Sequence, residues 1–168
     1  LYPRRRVITG FSDLQTAARF DHVAAEFDGS RRSLDGFRLA DCIVLDVDND
    51  HGQIVQPEQI AEDFPGVEHM IVYSRHHMQP KGSSPAVPRF HCYFPIEPTA
   101  DRAEVEQLKR SVCSAFPYFD SNAIDAARFL FGVPEPQGFA VEGALLLSDL
   151  FPCADEKGAE GSAAALQE

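Results

Sequence analysis

Asp46 and Asp48 stand two residues apart at the end of an apolar run, Cys42-Ile43-Val44-Leu45-Asp46-Val47-Asp48. Side chains alternate along a strand, so residues two apart share a face. The spacing predicts both carboxylates on one side and Val47 on the other. Two acids at the end of a buried strand repel unless something offsets their charge. A divalent cation does so, and oxygen donors suit Mg²⁺ or Mn²⁺. D-x-D is a short pattern: two solvated acids, or the acids of glycosyltransferases, phosphatases and nucleases, also fit it.

A second group lies in Arg89-Phe90-His91-Cys92-Tyr93-Phe94. Alternation predicts Arg89, His91 and Tyr93 on one face and Phe90, Cys92 and Phe94 on the other. A sheet with helices below and an open cleft above would use such a strand. Arg and His together suit phosphate oxygens. Ser74-Arg75-His76-His77 ends the preceding strand, and Lys81 in the next loop is a candidate phosphate or template contact. A third group runs from Phe119-Asp120-Ser121-Asn122 through Ile124-Asp125 to Arg128-Phe129-Leu130-Phe131-Gly132. If this segment is helical, Arg128 pairs with Asp125. A helix start capped by Asp120 or Ser121 is the plainer alternative.

The elements that must carry these residues alternate between helix and strand. Ser12 and Gln15 match a capping box, and the apolar spacing predicts a helix over Asp13–Phe27, ended by Gly29 and Ser30. Strands are expected at 42–48, 70–74 and 89–96, short helices at 57–64 and, capped by Thr99, at 99–116. The polar loop from Arg75 to Pro88 would join two strands of a hairpin with a functional tip. Val141 to Phe151 would close the core. The mixture reads as α+β.

The chain has 168 residues, enough for one domain with a buried core. Residues 1–153 read as that domain, and 154–168, poor in bulky apolar residues, as a flexible tail or linker. The net charge of -11 weighs against nucleic-acid binding, since phosphate favours basic surfaces. Acids that ligate metal, and acids in the tail, soften that objection. The four cysteines form no C-x-x-C pair and read as reduced, buried thiols. No apolar run reaches a membrane span, and the start Leu1-Tyr2-Pro3-Arg4 carries no signal core. A cytoplasmic piece of a longer protein is expected.

In order and spacing, these segments resemble the archaeo-eukaryotic primase superfamily, in the form of phage, plasmid and mobile-element primase–polymerases. That family has an apolar strand ending in D-x-D or D-x-E, matched by Ile43 to Asp48. Its second motif, s-x-H at a hydrophobic strand, is matched at His91, with Arg89 in place of the small residue, and literally at Ser74-Arg75-His76. Its third, an apolar residue followed by Asp, fits both Phe119-Asp120 and Ile124-Asp125. The resemblance spans Asp41 to Gly132. It implies an RRM-like antiparallel sheet flanked by helices, with a small N-terminal αβ unit. It implies that Asp46, Asp48 and Asp120 hold two Mg²⁺ or Mn²⁺ ions, with Asp125 as the alternative third ligand. His91, Arg89, Arg128 and Ser74 would meet the nucleotide. The implied partners are a single-stranded DNA template, NTPs or dNTPs, and a fused or separate helicase, with no membrane. The alternatives are a metal-dependent nuclease or phosphoesterase, and a non-catalytic nucleic-acid-binding module of a replication initiator.

Overall fold

A computed structural model describes residues 4–152; the expected tail at 154–168 and Cys153 lie outside them. The chain is α+β, built on a five-stranded antiparallel sheet. Helix α1 (Phe11–Ala17) is started by Thr9 and Asp13, not by Ser12 and Gln15. The Asp13 carboxylate accepts from the Thr9 N–H at 2.9 Å and from its hydroxyl at 2.6 Å. The helix also stops far short of Phe27. Residues expected in its second half form strand β1 (Ala25–Phe27), paired with strand β2 (Phe37–Val47). Val23, Ala24 and Phe27 suit either period, and a partner strand at Leu39 and Ala40 decides for extension.

Helix α2 (Gln59–Asp63) and strand β3 (His69–Tyr73) follow close to their expected positions. The loop from Arg75 to Pro88 is itself a small hairpin, β4 (Gln79–Lys81) with β5 (Ser84–Val87). Strand β6 (Phe90–Thr99) then returns between β2 and β3, antiparallel to both. Helix α3 (Arg102–Ala115) is capped by Asp101, whose side chain accepts from the Ala103 N–H at 2.8 Å. Thr99 acts one step earlier, accepting from the Asp101 N–H at 3.0 Å. A cap of this kind contributes about 1 kcal/mol. Strand β7 (Gly138–Val141) and helix α4 (Leu147–Leu150) complete the described chain. The sheet order is β1-β2-β6-β3-β7, so the first strand is an edge of the main sheet, and α1 packs on that sheet through Leu14.

Gly138 lets β7 close on β3. Its φ is +155°, and a Cβ there would meet the Ile71 carbonyl oxygen at 1.9 Å. Only glycine fits so close an approach.

Both faces of the sheet are covered, which explains the unbroken apolar run in β2. Leu45, Val47, Phe90 and Phe94 pack toward the helices, with Phe64 and Val112. Phe64 sits against Phe94 and Phe116 at centroid distances of 5.1 and 4.5 Å. Burying each such ring contributes about 2–3 kcal/mol, which accounts for much of the use of phenylalanine here. On the other face, Val44, Val72 and Tyr93 pack under Leu14, Ala18 and Leu130. The expected open cleft is therefore filled over the middle of the sheet. Cys92 and Cys113 are buried free thiols, as expected, and Cys42 is a partly buried one. No helix among the described residues is long and apolar enough to cross a membrane.

Candidate functional site

The ladder between β2 and β6 sets Asp46 directly opposite His91. Cross-strand partners share a face, so the two side chains meet: His91 Nδ1 donates to Asp46 Oδ1 at 2.5 Å. The other oxygen, Oδ2, accepts from Arg128 Nη2 at 2.7 Å and Nε at 3.2 Å. Asp46 is buried, whereas the Arg128 side chain is 36% exposed. The third segment is pinned at the same place, because the Asp120 N–H donates to the Asp46 carbonyl at 2.9 Å. Asp120 Oδ1 in turn caps a short turn, accepting from the Asn122 N–H at 2.9 Å. Residues Asp46, His91, Asp120 and Arg128, from three separate stretches, thus converge at one end of the sheet.

Burial raises the Asp46 carboxyl, but the hydrogen bond and charge of His91, and then Arg128, outweigh it and hold it at about 2. Asp46 is therefore a carboxylate at neutral pH, and the Nδ1 of His91 carries the proton shared with it. That leaves Nε2 as the imidazole nitrogen not committed to Asp46.

The remaining expected residues fall in varied places. Asp48 lies just past the end of β2, and its side chain is 43% exposed. Lys81 reaches it from the tip of the small hairpin, at 3.2 Å, and reaches Asp50 at 3.6 Å. Arg89 corrects the strand reading. It precedes β6 and is fully buried, where the sequence placed it on a cleft face beside phosphate. Its guanidinium holds the hairpin, donating to Asp50 at 3.0 Å and to the carbonyls of Gln79 at 2.8 Å and His76 at 3.3 Å. A side chain so enclosed serves here as a structural tie. Ser74 closes the turn after β3, its hydroxyl accepting from the His76 N–H at 3.3 Å. It makes no bond to Asp46 or His91 among the described residues. His77 stacks on Tyr73 at 4.1 Å. Asp125 does not pair with Arg128, because its segment is a turn and not a helix; Arg128 reaches Asp46 instead.

Two neighbours escaped the sequence reading. Lys109 is buried on the inner side of α3 and donates to the carbonyls of Asp125 at 3.1 Å and Ala123 at 3.4 Å. Burial lowers its pKa, and the charges of Asp125 and Asp46 oppose the shift. A lysine in a helix is ordinarily solvated, so only its place beside Val105, Leu108 and Val112 hinted at burial. His22 Nδ1 donates to the Phe20 carbonyl at 2.8 Å, and Nε2 accepts from the Tyr93 hydroxyl at 2.9 Å. Tyr93 follows His91 by two residues on the same face of β6, so this pair lies behind the site.

The donor chemistry of Asp46, Asp48 and Asp120, all hard oxygens, fits Mg²⁺ or Mn²⁺. Among the described residues, no three His, Cys, Asp or Glu side chains are already gathered at ligand spacing. Both oxygens of Asp46 are engaged by cationic or N–H groups, so a cation there competes with Arg128. Comparison with known protein families, characterised proteins and solved structures returns no match.

Proposed function

We propose that this chain is a template-directed nucleotidyltransferase, a primase–polymerase domain that makes or extends primers on single-stranded DNA from NTPs or dNTPs. The observation that carries the reading is the convergence of Asp46, His91, Asp120 and Arg128 at one sheet end. These are residues of all three motifs by which the sequence resembles archaeo-eukaryotic primases. Strand β6 is inserted between β2 and β3, so β2-α2-β3 is a split β-α-β unit, while β7 lies beside β3 and β1 takes the place beside β2. The split unit supports reading this part of the sheet as RRM-like.

In this reading Asp46, Asp48 and Asp120 hold the divalent ions. Asp120 is preferred to Asp125 because its main chain is bonded to Asp46. Bound there, the ions supply charge neutralisation of the triphosphate and activation of the attacking 3′-hydroxyl. His91 is oriented by Asp46 and, with both ring nitrogens protonated, donates its Nε2–H to a phosphate oxygen. Arg128, partly exposed and bidentate on Asp46, exchanges between that carboxylate and the triphosphate as charge arrives. Positioning and charge stabilisation account for the rate gain, as in other phosphoryl transfers.

The test is primer synthesis or extension on single-stranded DNA with labelled nucleotides and Mg²⁺ or Mn²⁺, beside an Asp46→Ala/Asp48→Ala variant. Longer products from the wild type alone support the reading. Shortened DNA would instead assign the acids to a nuclease, and template binding without product in either protein would favour a binding module.

A further inference from the structure

Residues Phe129 to Phe131 run on from Arg128 and lie extended, with Leu130 paired to His22 and buried. Alternation therefore puts Phe129 and Phe131 together on the opposite side. Their rings stand edge to face at a centroid distance of 4.7 Å. Phe131 is 50% exposed. Each ring also carries a guanidinium from a distant part of the chain. Arg75, from the turn after β3, sits 4.0 Å from the Phe131 centroid. Arg32, from the loop before β2, sits 5.7 Å from that of Phe129 and donates to the Ala127 carbonyl at 2.9 Å.

In a chain of net charge -11, two arginines placed over two adjacent rings make a local positive, flat-faced strip. A solvated apolar patch would not need them, and a core patch would bury the rings. Aromatic rings and guanidinium planes are the surfaces on which unpaired bases stack, while the arginine charge meets the phosphates between them. The strip begins at the residue after Arg128, beside the acidic site.

We propose that Phe129, Phe131, Arg32 and Arg75 form a stacking platform for a single strand of nucleic acid, leading the strand into the Asp46–His91 site. This assignment rests on the polymerase reading for its direction, but strand binding needs neither metal nor nucleotide and is measured apart from synthesis. Single-stranded DNA and RNA share the required chemistry.

The chain has no tryptophan, so Phe131→Trp installs a single fluorescent reporter on the platform. Titration of this variant with oligo-thymidylate and with oligo-uridylate, in EDTA, should quench its emission; the stronger of the two identifies the strand. Phe131→Ala should weaken oligonucleotide binding, read by anisotropy, about tenfold, and Phe131→Trp should retain it. Arg75→Ala should weaken binding and flatten its salt dependence. Unchanged unfolding curves would show that the variants are intact, as expected for an exposed ring. Binding that is equal in wild type and Phe131→Ala, or absent in wild type, overturns the platform. So does equal quenching by free dTTP, which would make the site a nucleotide pocket. Strand binding that depends on Phe131 without any synthesis would keep the platform and remove the polymerase reading; synthesis indifferent to Phe131 would do the reverse.

Discussion

The Asp120 N–H donates to the Asp46 carbonyl at 2.9 Å, so main chain, not side chain, fastens the third acidic segment to the first. The two carboxylates are thereby left free of each other. Asp120→Asn keeps an oxygen for the Asn122 N–H that Asp120 now caps. Its stability should stay within about 0.5 kcal/mol of wild type, while nucleotidyl transfer should fall on the order of a hundredfold or more. Asp120→Ala should add a loss of about 1 kcal/mol from the missing cap. Urea unfolding and primer extension, run in parallel, check both.

Asp46 and Asp48 should separate in the same pair of measurements. Asp46→Asn weakens buried charge-assisted bonds to His91 and Arg128 and should cost about 2 kcal/mol. Asp48→Asn alters a half-exposed pair with Lys81 and should cost less than about 0.5 kcal/mol. Both should abolish transfer. Mn²⁺ at a hundredfold excess over its Kd should add about 2.7 kcal/mol to wild-type stability. An equal gain in both variants would move the metal elsewhere.

Arg89 should behave as a structural residue. Removing it leaves Asp50 with only Ser84 and Lys81 and takes the donor from the His76 and Gln79 carbonyls, in a region the side chain fills completely. Arg89→Met should cost about 3–4 kcal/mol. Arg89→Lys should recover only part, since one ammonium cannot span the same acceptors. The folded fraction of either variant should bind nucleotide normally; a selective loss of nucleotide affinity at full stability would restore the phosphate role.

Acid should weaken the fold in two stages. Burial lowers the pKa of His22 and of His69 below the ordinary 6.5. The unfolded chain then binds more protons, so their contribution is complete above about 6.5 and declines as pH falls below it. Asp46 is held at about 2 against an ordinary 3.8, so its contribution stands above that range and is lost as pH falls from 3.8 toward 2. That second stage is worth about 2 kcal/mol. Urea midpoints across pH, in EDTA, should show both declines. Asp46→Asn should shrink the second alone, leaving the part that comes from Asp50 and Asp13, whose carboxyls are also lowered by their partners.

The parts of the fold legible in the sequence are those set by local pattern. The apolar run at 43–47 and the alternation of Phe90 to Phe94 mark β2 and β6, and through them Asp46 and His91. What stayed hidden depends on partners far along the chain. Val23 to Phe27 read as helix until β2 supplied a ladder. Local spacing offers Arg128 its near neighbour Asp125, and nothing local reveals the bond to Asp46. Arg89 took its face from a strand that begins one residue later, and its burial depends on Asp50 and the hairpin folding over it. Alternation puts Asp48 on the face of Asp46, but the strand ends between them, so one acid is buried and the other open.

Asp46 and His91 lie on one side of the β2–β6 ladder, and Leu45, Val47, Phe90 and Cys92 on the other. A one-residue slip of β2 would swing the carboxylate among phenylalanines and turn leucine or valine toward Arg128, and a slip of β6 would replace His91 on that face by phenylalanine or cysteine. The ionised side chain thus acts as an alignment mark for the folding chain: misregistered sheets are penalised by the same charge that gives the correct one its reactivity. Length changes inside β2 or β6 should then be as damaging as losing Asp46 itself, and natural variation in chain length should gather in the hairpin and loops outside that ladder.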